Sequence, residues 1–206
     1  MAITTYAELK SSIADFLNRD DLTATVSDFI TLAETGMQRQ VRHWRQEKRS
    51  TATIDTQYSA IPADFLEDIR FYITSGTTIP LEKISQFQLI ERKFTASNTA
   101  GIPRYYALTA GELEVYPRPD GAYTAELYYY SRIPELSDSV TTNWLLDYFP
   151  DAYLYGSLMH SAPYLKEDAR LTTWAALYQS AIDAINESGD AAKFGGSGRR
   201  MKIRAY

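Results

Sequence analysis

VSDFITLAETGMQRQVRHWRQEKRSTATIDTQYSA, residues 26–60, changes its hydrophobic period part-way along. Val26, Phe29, Ile30, Ala33, Met37, Val41 and Trp44 recur at helical spacing, which predicts a long amphipathic helix over roughly 26–44. Gly36 lies inside it, and Arg39, Arg42 and Arg45 meet the negative end of the helix dipole in its last turns. Farther on, Ala52, Ile54, Thr56, Tyr58 and Ala60 alternate with polar neighbours, which predicts a strand. The switch from period 3.6 to period 2 places helix and sheet in series along one chain.

Upstream, Thr5-x-x-Glu8 has the form of a capping box ahead of the stripe Tyr6, Leu9, Ile13, Phe16, and this helix stops at Asn18-Arg19-Asp20-Asp21. Thr25-x-x-Asp28 offers a second cap. Downstream, Pro62–Leu66 reads as a turn or a single helical turn, and DIRFYITSGTTIPLEKIS as strand, Ser-Gly turn, strand. A short helical stretch, SQFQLIERKF, comes next. RYYALT, ELEVYP and YTAELYYYSRI, separated at Ala110-Gly111 and Pro119-Asp120-Gly121, then read as an antiparallel meander. From Thr142 the helical period returns. Pro150 opens a helix through 151–162 with Ala152, Tyr155, Leu158, Met159 and Ala162 on its stripe, and Pro163 ends or kinks it. A last helix over about 167–187 carries Leu171, Trp174, Leu177, Tyr178, Ala181 and Ile185 and stops at Ser188-Gly189. The fold expected is α+β: a bundle of N-terminal (1–45) and C-terminal (141–190) helices, an inserted antiparallel β-rich region (46–140), and a flexible basic arm (191–206).

Composition narrows the chemistry. The 206 residues carry a net charge of -5, and all 26 acids precede residue 191. From Lys193 onward every charge is basic, so the body up to there is an acidic surface that repels phosphates. Cysteine is absent, which removes disulfides, thiolate zinc sites and cysteine nucleophiles. No run approaches the ~20 apolar residues of a membrane span, and the reading is a soluble protein assembled in a reducing cytoplasm. The 16 tyrosines suit large protein interfaces as well as a sheet core.

Candidate catalytic groups are few. His43 and His160 have no partners at metal-ligand spacing; His43 reads as a surface or dipole-satisfying residue and His160 as packed or polar surface. HEXXH, GXSXG, Walker A and GXGXXG motifs are missing. Glu112 and Glu114 share one side of a strand, and Asp64, Glu67 and Asp68 cluster near a turn; such pairs are what a glycosidase needs, but they read as solvated faces. In Tyr128-Tyr129-Tyr130, alternation sends Tyr129 to the opposite face, so at most two of the rings form a stacking surface. Neither a metal nor an organic cofactor is expected.

NRDDLTATVSDFITLAE (18–34), Arg39-Gln40-Val41-Arg42, IPADFLEDIRF (61–71), YPRPDGAYTAELYYYSRIPELSD (116–138), NWLLDYFPDAYLYGSLMHSAPYLKEDAR (143–170) and Trp174, in that order, resemble the head-to-tail adaptor family of tailed bacteriophages. The resemblance implies a structural virion protein without turnover. It forms a ring, dodecameric in the usual case, beneath the portal protein; the ring extends the channel for genomic DNA and offers a platform to a downstream tail or nozzle protein. It implies a place at the virion neck, assembly in the host cytoplasm, and no membrane partner. A virion-associated peptidoglycan hydrolase is the alternative.

FGGSGRRMKIRAY, residues 194–206, fits this resemblance. Gly195, Gly196 and Gly198 form a hinge that cannot pack a core, and the segment spans roughly 40 Å when extended. Arg199, Arg200, Lys202 and Arg204 interleave with Met201, Ile203 and Tyr206. That pattern suits a strand added to a partner's sheet edge, or apolar anchors in pockets with cations on acids. The composition also fits a solvated terminus. With the resemblance, these residues become a portal-binding arm that orders on assembly.

Overall fold

Thr5 starts the first helix as the sequence predicts: its side chain accepts the Glu8 N–H, and the Glu8 carboxylate accepts the Thr5 N–H in return. The structure, a computed structural model, describes residues 3–19, 21–95, 99–165 and 168–194. In chain order the elements are α1 (Tyr6–Leu17), α2 (Thr23–Gln40), β1 (Glu47–Ile54), β2 (Tyr58–Ala60), β3 (Phe65–Ile73), β4 (Ile79–Pro80), β5 (Glu82–Lys83), α3 (Gln86–Thr95), β6 (Tyr105–Thr109), β7 (Glu112–Tyr116), β8 (Tyr123–Ser131), α4 (Trp144–Tyr148), α5 (Pro150–Leu165) and α6 (Asp168–Phe194). The chain is α+β. Among the described residues, those within 46–132 form one compact unit, and those within 3–45 and 133–194 form the other.

The helical unit has one core. Leu9, Ile13, Val26, Ile30, Met37, Leu145, Leu146, Tyr153, Leu158, Ile182 and Ile185 all lie in it, so α1, α2, α4, α5 and α6 bury faces together. Asn18 ends α1 in the left-handed conformation (φ 50°), which Asn tolerates better than most residues. Phe16, expected on the buried stripe, is 53% exposed, and Leu17 takes the inward position. α2 begins before the expected Thr25 cap. Buried Leu22 precedes it, and its carbonyl accepts the N–H groups of Thr25 and Val26 without any side-chain cap. The helix also ends early: Val41 is extended, and Trp44 sits in a 3-10 turn (Trp44–Gln46) with 41% exposure.

In the C-terminal flank the helix stop expected at Ser188-Gly189 fails, and of the two alternatives at Pro163 a helix end is removed. α5 continues two residues past Pro163, and α6 runs through Ser188-Gly189 to Phe194. Gly189 is there because the helix backbone lies against Arg42 and His43: an added Cβ would stand 3.0 Å from His43 Cδ2 and 3.4 Å from the Arg42 carbonyl. Gly156 has the same role where α5 meets its neighbours, since a Cβ there would lie 3.0 Å from the Tyr178 ring and 3.1 Å from Ala33 Cβ.

The other unit holds two four-stranded sheets, ordered β1-β8-β3-β4 and β2-β7-β6-β5. Residues of both, among them Ile54, Phe71, Ile73, Leu113, Val115, Ala125, Leu127 and Tyr129, share a core. Three details differ from the sequence reading. The single strand expected from Ala52 to Ala60 is two strands in different sheets, broken at Asp55–Gln57. The expected meander is only the β6–β7 hairpin, turned at Ala110 (φ 51°) and Gly111 (φ 85°); β8 leaves it to pair antiparallel with β1 and β3. The region is not purely antiparallel either. β5 pairs parallel with β6, because α3 supplies the crossover that a parallel connection requires.

Candidate functional site

The residues assigned to the arm and its hinge, Arg199, Arg200, Met201, Lys202, Ile203, Arg204 and Tyr206 with Gly195, Gly196 and Gly198, lie outside the described residues. The described part ends at their root, the C-terminal half of α6. That half is clamped to the end of α2. The Arg42 N–H donates to Asn186 Oδ1 at 3.0 Å, and Asn186 Nδ2 donates to the Gln40 carbonyl at 3.1 Å. Beside this clamp His43 is buried, 3% exposed, which corrects its reading as a surface residue. Its ring stacks on Trp144 at 5.0 Å, meets Phe149 edge-on at 6.0 Å, and accepts the Arg45 N–H at Nδ1. Burial lowers its pKa, and the charges of Arg45 and Lys193 lower it further. The Gly189 surface and the rings of Trp144, Phe149 and Trp44, the last at 5.7 Å, thus make His43 a packing residue. His160 is half-buried on α5, and burial lowers its pKa too.

The carboxylates read as solvated faces are mostly engaged. Glu114 is buried; it accepts from Gln57 at 2.9 Å and from Thr109 at 3.3 Å, and it pairs with Lys93 of α3. Burial alone would raise its pKa, but hydrogen bonds from Lys93, Gln57 and Tyr58 and the Lys93 charge outweigh it and hold the carboxyl below its ordinary value. Alternation put Glu114 outward correctly; the correction is that α3 covers that side. Glu112, two residues away, stays exposed. Asp64 accepts from Lys48 at 2.6 Å and from the Tyr129 hydroxyl at 2.9 Å, and the Lys48 hydrogen bond lowers its pKa. Asp68 accepts the Tyr106 hydroxyl at 2.7 Å and pairs with Lys83. A glycosidase general acid needs a raised pKa and open access, and Asp64 and Glu114 have the opposite shift. Among the described residues no group of three or more His, Asp or Glu is placed to hold a metal. Tyr129 is buried while Tyr128 and Tyr130 are half-exposed, as alternation requires, and the Tyr128 ring lies 5.5 Å from that of Tyr72.

A polar network that the sequence reading missed holds the chain where it re-enters the helical unit. Gln38 brackets Ile133: its amide nitrogen donates to the Ile133 carbonyl, and its oxygen accepts the Ile133 N–H at 3.0 Å. Glu34, one turn earlier on α2, accepts the Leu136 N–H at 2.8 Å and the Tyr153 hydroxyl at 3.2 Å. Asn143 donates to that hydroxyl at 2.7 Å and caps α4 with its oxygen. Burial raises the Glu34 pKa to about 7, against the two hydrogen bonds that lower it. The available signal was Glu34 and Gln38 at i, i+4, flanking an apolar stripe.

Each of these clusters ties one segment of the chain to another. Among the described residues no helix is long and apolar enough to cross a membrane. A model of the SU10 adaptor protein family matches residues 4–201, taking in both helical flanks and the β-rich unit between them. No curated protein matches the chain. With nearly its whole length matched, the chain belongs to the SU10 adaptor protein family, a group of bacteriophage head-to-tail adaptors.

Proposed function

We propose that this protein is a structural subunit of the virion neck, one copy of a dodecameric ring beneath the portal. The ring extends the DNA channel and gives the downstream tail or nozzle protein a docking platform. The family match over residues 4–201 carries this reading. In it the N- and C-terminal helices form a bundle, and the β-rich unit is an insertion between them in sequence. The subunit has no catalytic turnover and no cofactor, and it is assembled in the host cytoplasm. Its acidic body lets genomic DNA pass without sequence-specific grip, because like charge removes the counterion-release gain of phosphate contacts.

The arm completes the proposal. Arg199, Arg200, Met201, Lys202, Ile203, Arg204 and Tyr206 bind the portal, and Gly195, Gly196 and Gly198 give them reach. The Asn186 clamp and the Gly189 contact supply a fixed base for that reach. Twelve weak arms act at high effective concentration once a ring is in place. The test is co-sedimentation with the cognate portal ring of the full chain and of a chain ending at Phe194. Docking by the full chain alone supports the reading; docking by both removes the arm's role, and docking by neither removes the adaptor ring.

A further inference from the structure

Arg45 is held in an unusual position in the helical unit. Its guanidinium lies over the Tyr148 ring at 3.9 Å and over the Trp44 ring at 4.7 Å. Both rings are open to solvent, Trp44 at 41% and Tyr148 at 57%. Among the described residues the one hydrogen bond of Arg45 outside helices and strands is made by its backbone, and the guanidinium has neither a hydrogen-bond acceptor nor an ion-pair partner there. A guanidinium stacked on rings keeps its five N–H donors at the edge, where they match the two oxygens of a carboxylate or phosphate. Tryptophan, tyrosine and arginine are also the residue types that dominate the energetics of protein interfaces.

We propose that Trp44, Arg45 and Tyr148 form the anchor of a contact between copies of this chain, in which Arg45 takes a carboxylate of the second copy. This rests on the ring reading above. Charge selects carboxylate over phosphate: the chain is net acidic, so a duplex is repelled while a second copy brings acids in excess. α6 offers a matching surface. Asp183, Glu187 and Asp190 are all exposed at i, i+4, i+7, a ridge about 10 Å long on one face of the helix. None of the three has an ion-pair partner among the described residues. A basic anchor on one patch meeting an acidic ridge on another is a heterologous contact, the kind that propagates around a closed ring.

The test separates neighbour contact from portal contact. A portal ring is titrated with the full chain, and bound copies are counted by native mass spectrometry. The unmodified chain is expected to fill rings cooperatively. Arg45→Ala is expected to bind single sites as before but to fill rings statistically, with neighbour coupling lowered about tenfold. Arg45→Lys does not restore it, because ammonium is a point charge without the planar fork. Neutralising the ridge (Asp183→Asn, Glu187→Gln, Asp190→Asn) has a similar effect, and combining it with Arg45→Ala adds nothing further. Cooperative filling by Arg45→Ala or by the ridge variant overturns the proposal, as do additive effects. Both sites are on the surface, so equal thermal midpoints identify folded variants. If the unmodified chain does not bind the portal, the ring reading fails, and sedimentation of the chain alone decides the contact. Self-association abolished by Arg45→Ala supports it, and a monomer at every concentration overturns it. Retardation of a short DNA duplex that Arg45→Ala removes also overturns it, by assigning the cluster to phosphate.

Discussion

Gly189 and His43 meet backbone against ring: a methyl group on Gly189 would stand 3.0 Å from His43 Cδ2 and 3.3 Å from His43 Cα. Alanine favours a helix over glycine by up to ~1 kcal/mol, but crowding a packed site costs ~1–3 kcal/mol. The Arg42 carbonyl and the His43 backbone are neighbours that a rotamer change cannot move. Gly189→Ala is therefore expected to destabilise by about 1 kcal/mol and to lower Tm by roughly 2–4 °C. Calorimetry reads this directly; an unchanged or raised Tm would show that the segment after α2 yields freely.

Glu34 sets a pH dependence. Its carboxyl is raised from 4.5 to about 7 by burial. A raised carboxyl favours the protonated fold, so its contribution is complete below the unfolded value and is lost as pH rises from about 4.5 to 7. The shift corresponds to about 3 kcal/mol. His43 and His160, both lowered, act in the opposite sense as pH falls below 6.5. The comparison with Glu34→Gln isolates the carboxyl, since glutamine's oxygen still accepts from Leu136 and Tyr153. Urea unfolding at pH 5 and pH 7.5 is expected to show the variant gaining on the parent at the higher pH. Parallel pH profiles would refute the assignment.

Lys93 neutralises a buried acid. With Lys93→Met, Glu114 keeps Gln57 and Thr109 but loses its countercharge, a loss on the order of 3–5 kcal/mol for a buried pair. Adding Glu114→Gln should recover most of it. The Glu114 pKa is lowered in the fold, so its stabilisation exists above pH 4.5 and is lost as pH falls further. The single variant should lose that acid sensitivity, visible in melts between pH 3 and pH 5.

Asn186→Ala removes both hydrogen bonds that tie α6 to the end of α2. A loss of ~1–3 kcal/mol is expected, together with faster amide exchange at Arg42. Unchanged protection at Arg42 would mean that the clamp does not limit local opening.

Local signals carried the helical parts of this fold, and long-range ones escaped. The Thr5–Glu8 box was readable because cap and partner are three residues apart. The alternation from Ala52 to Ala60 announced extended chain, yet of its apolar-face positions only Ile54 is buried, and a local pattern does not tell which sheet a strand joins, so the break at Asp55–Gln57 was invisible. The strand partners of β8 lie far off in sequence, and nothing local identified them. Glu114 looked solvated because alternation cannot see that α3 covers that side of the sheet. Gly189 looked like a helix stop because its reason, His43, belongs to another part of the chain. The candidate arm was read from composition and resemblance alone, and its residues lie outside those the structure describes.

The pairing of Glu47 with Tyr130 has an engineering consequence. The chain enters the β-rich unit on β1 and leaves it on β8, and those two strands are hydrogen-bonded neighbours, about 5 Å apart. Such an insert is a cassette with a doorway one strand pair wide. A tight turn can close the doorway when the cassette is removed, and any other module whose ends lie on adjacent antiparallel strands can be spliced in its place. A lineage of such proteins can exchange the whole insert while leaving the helical unit's connectivity unchanged.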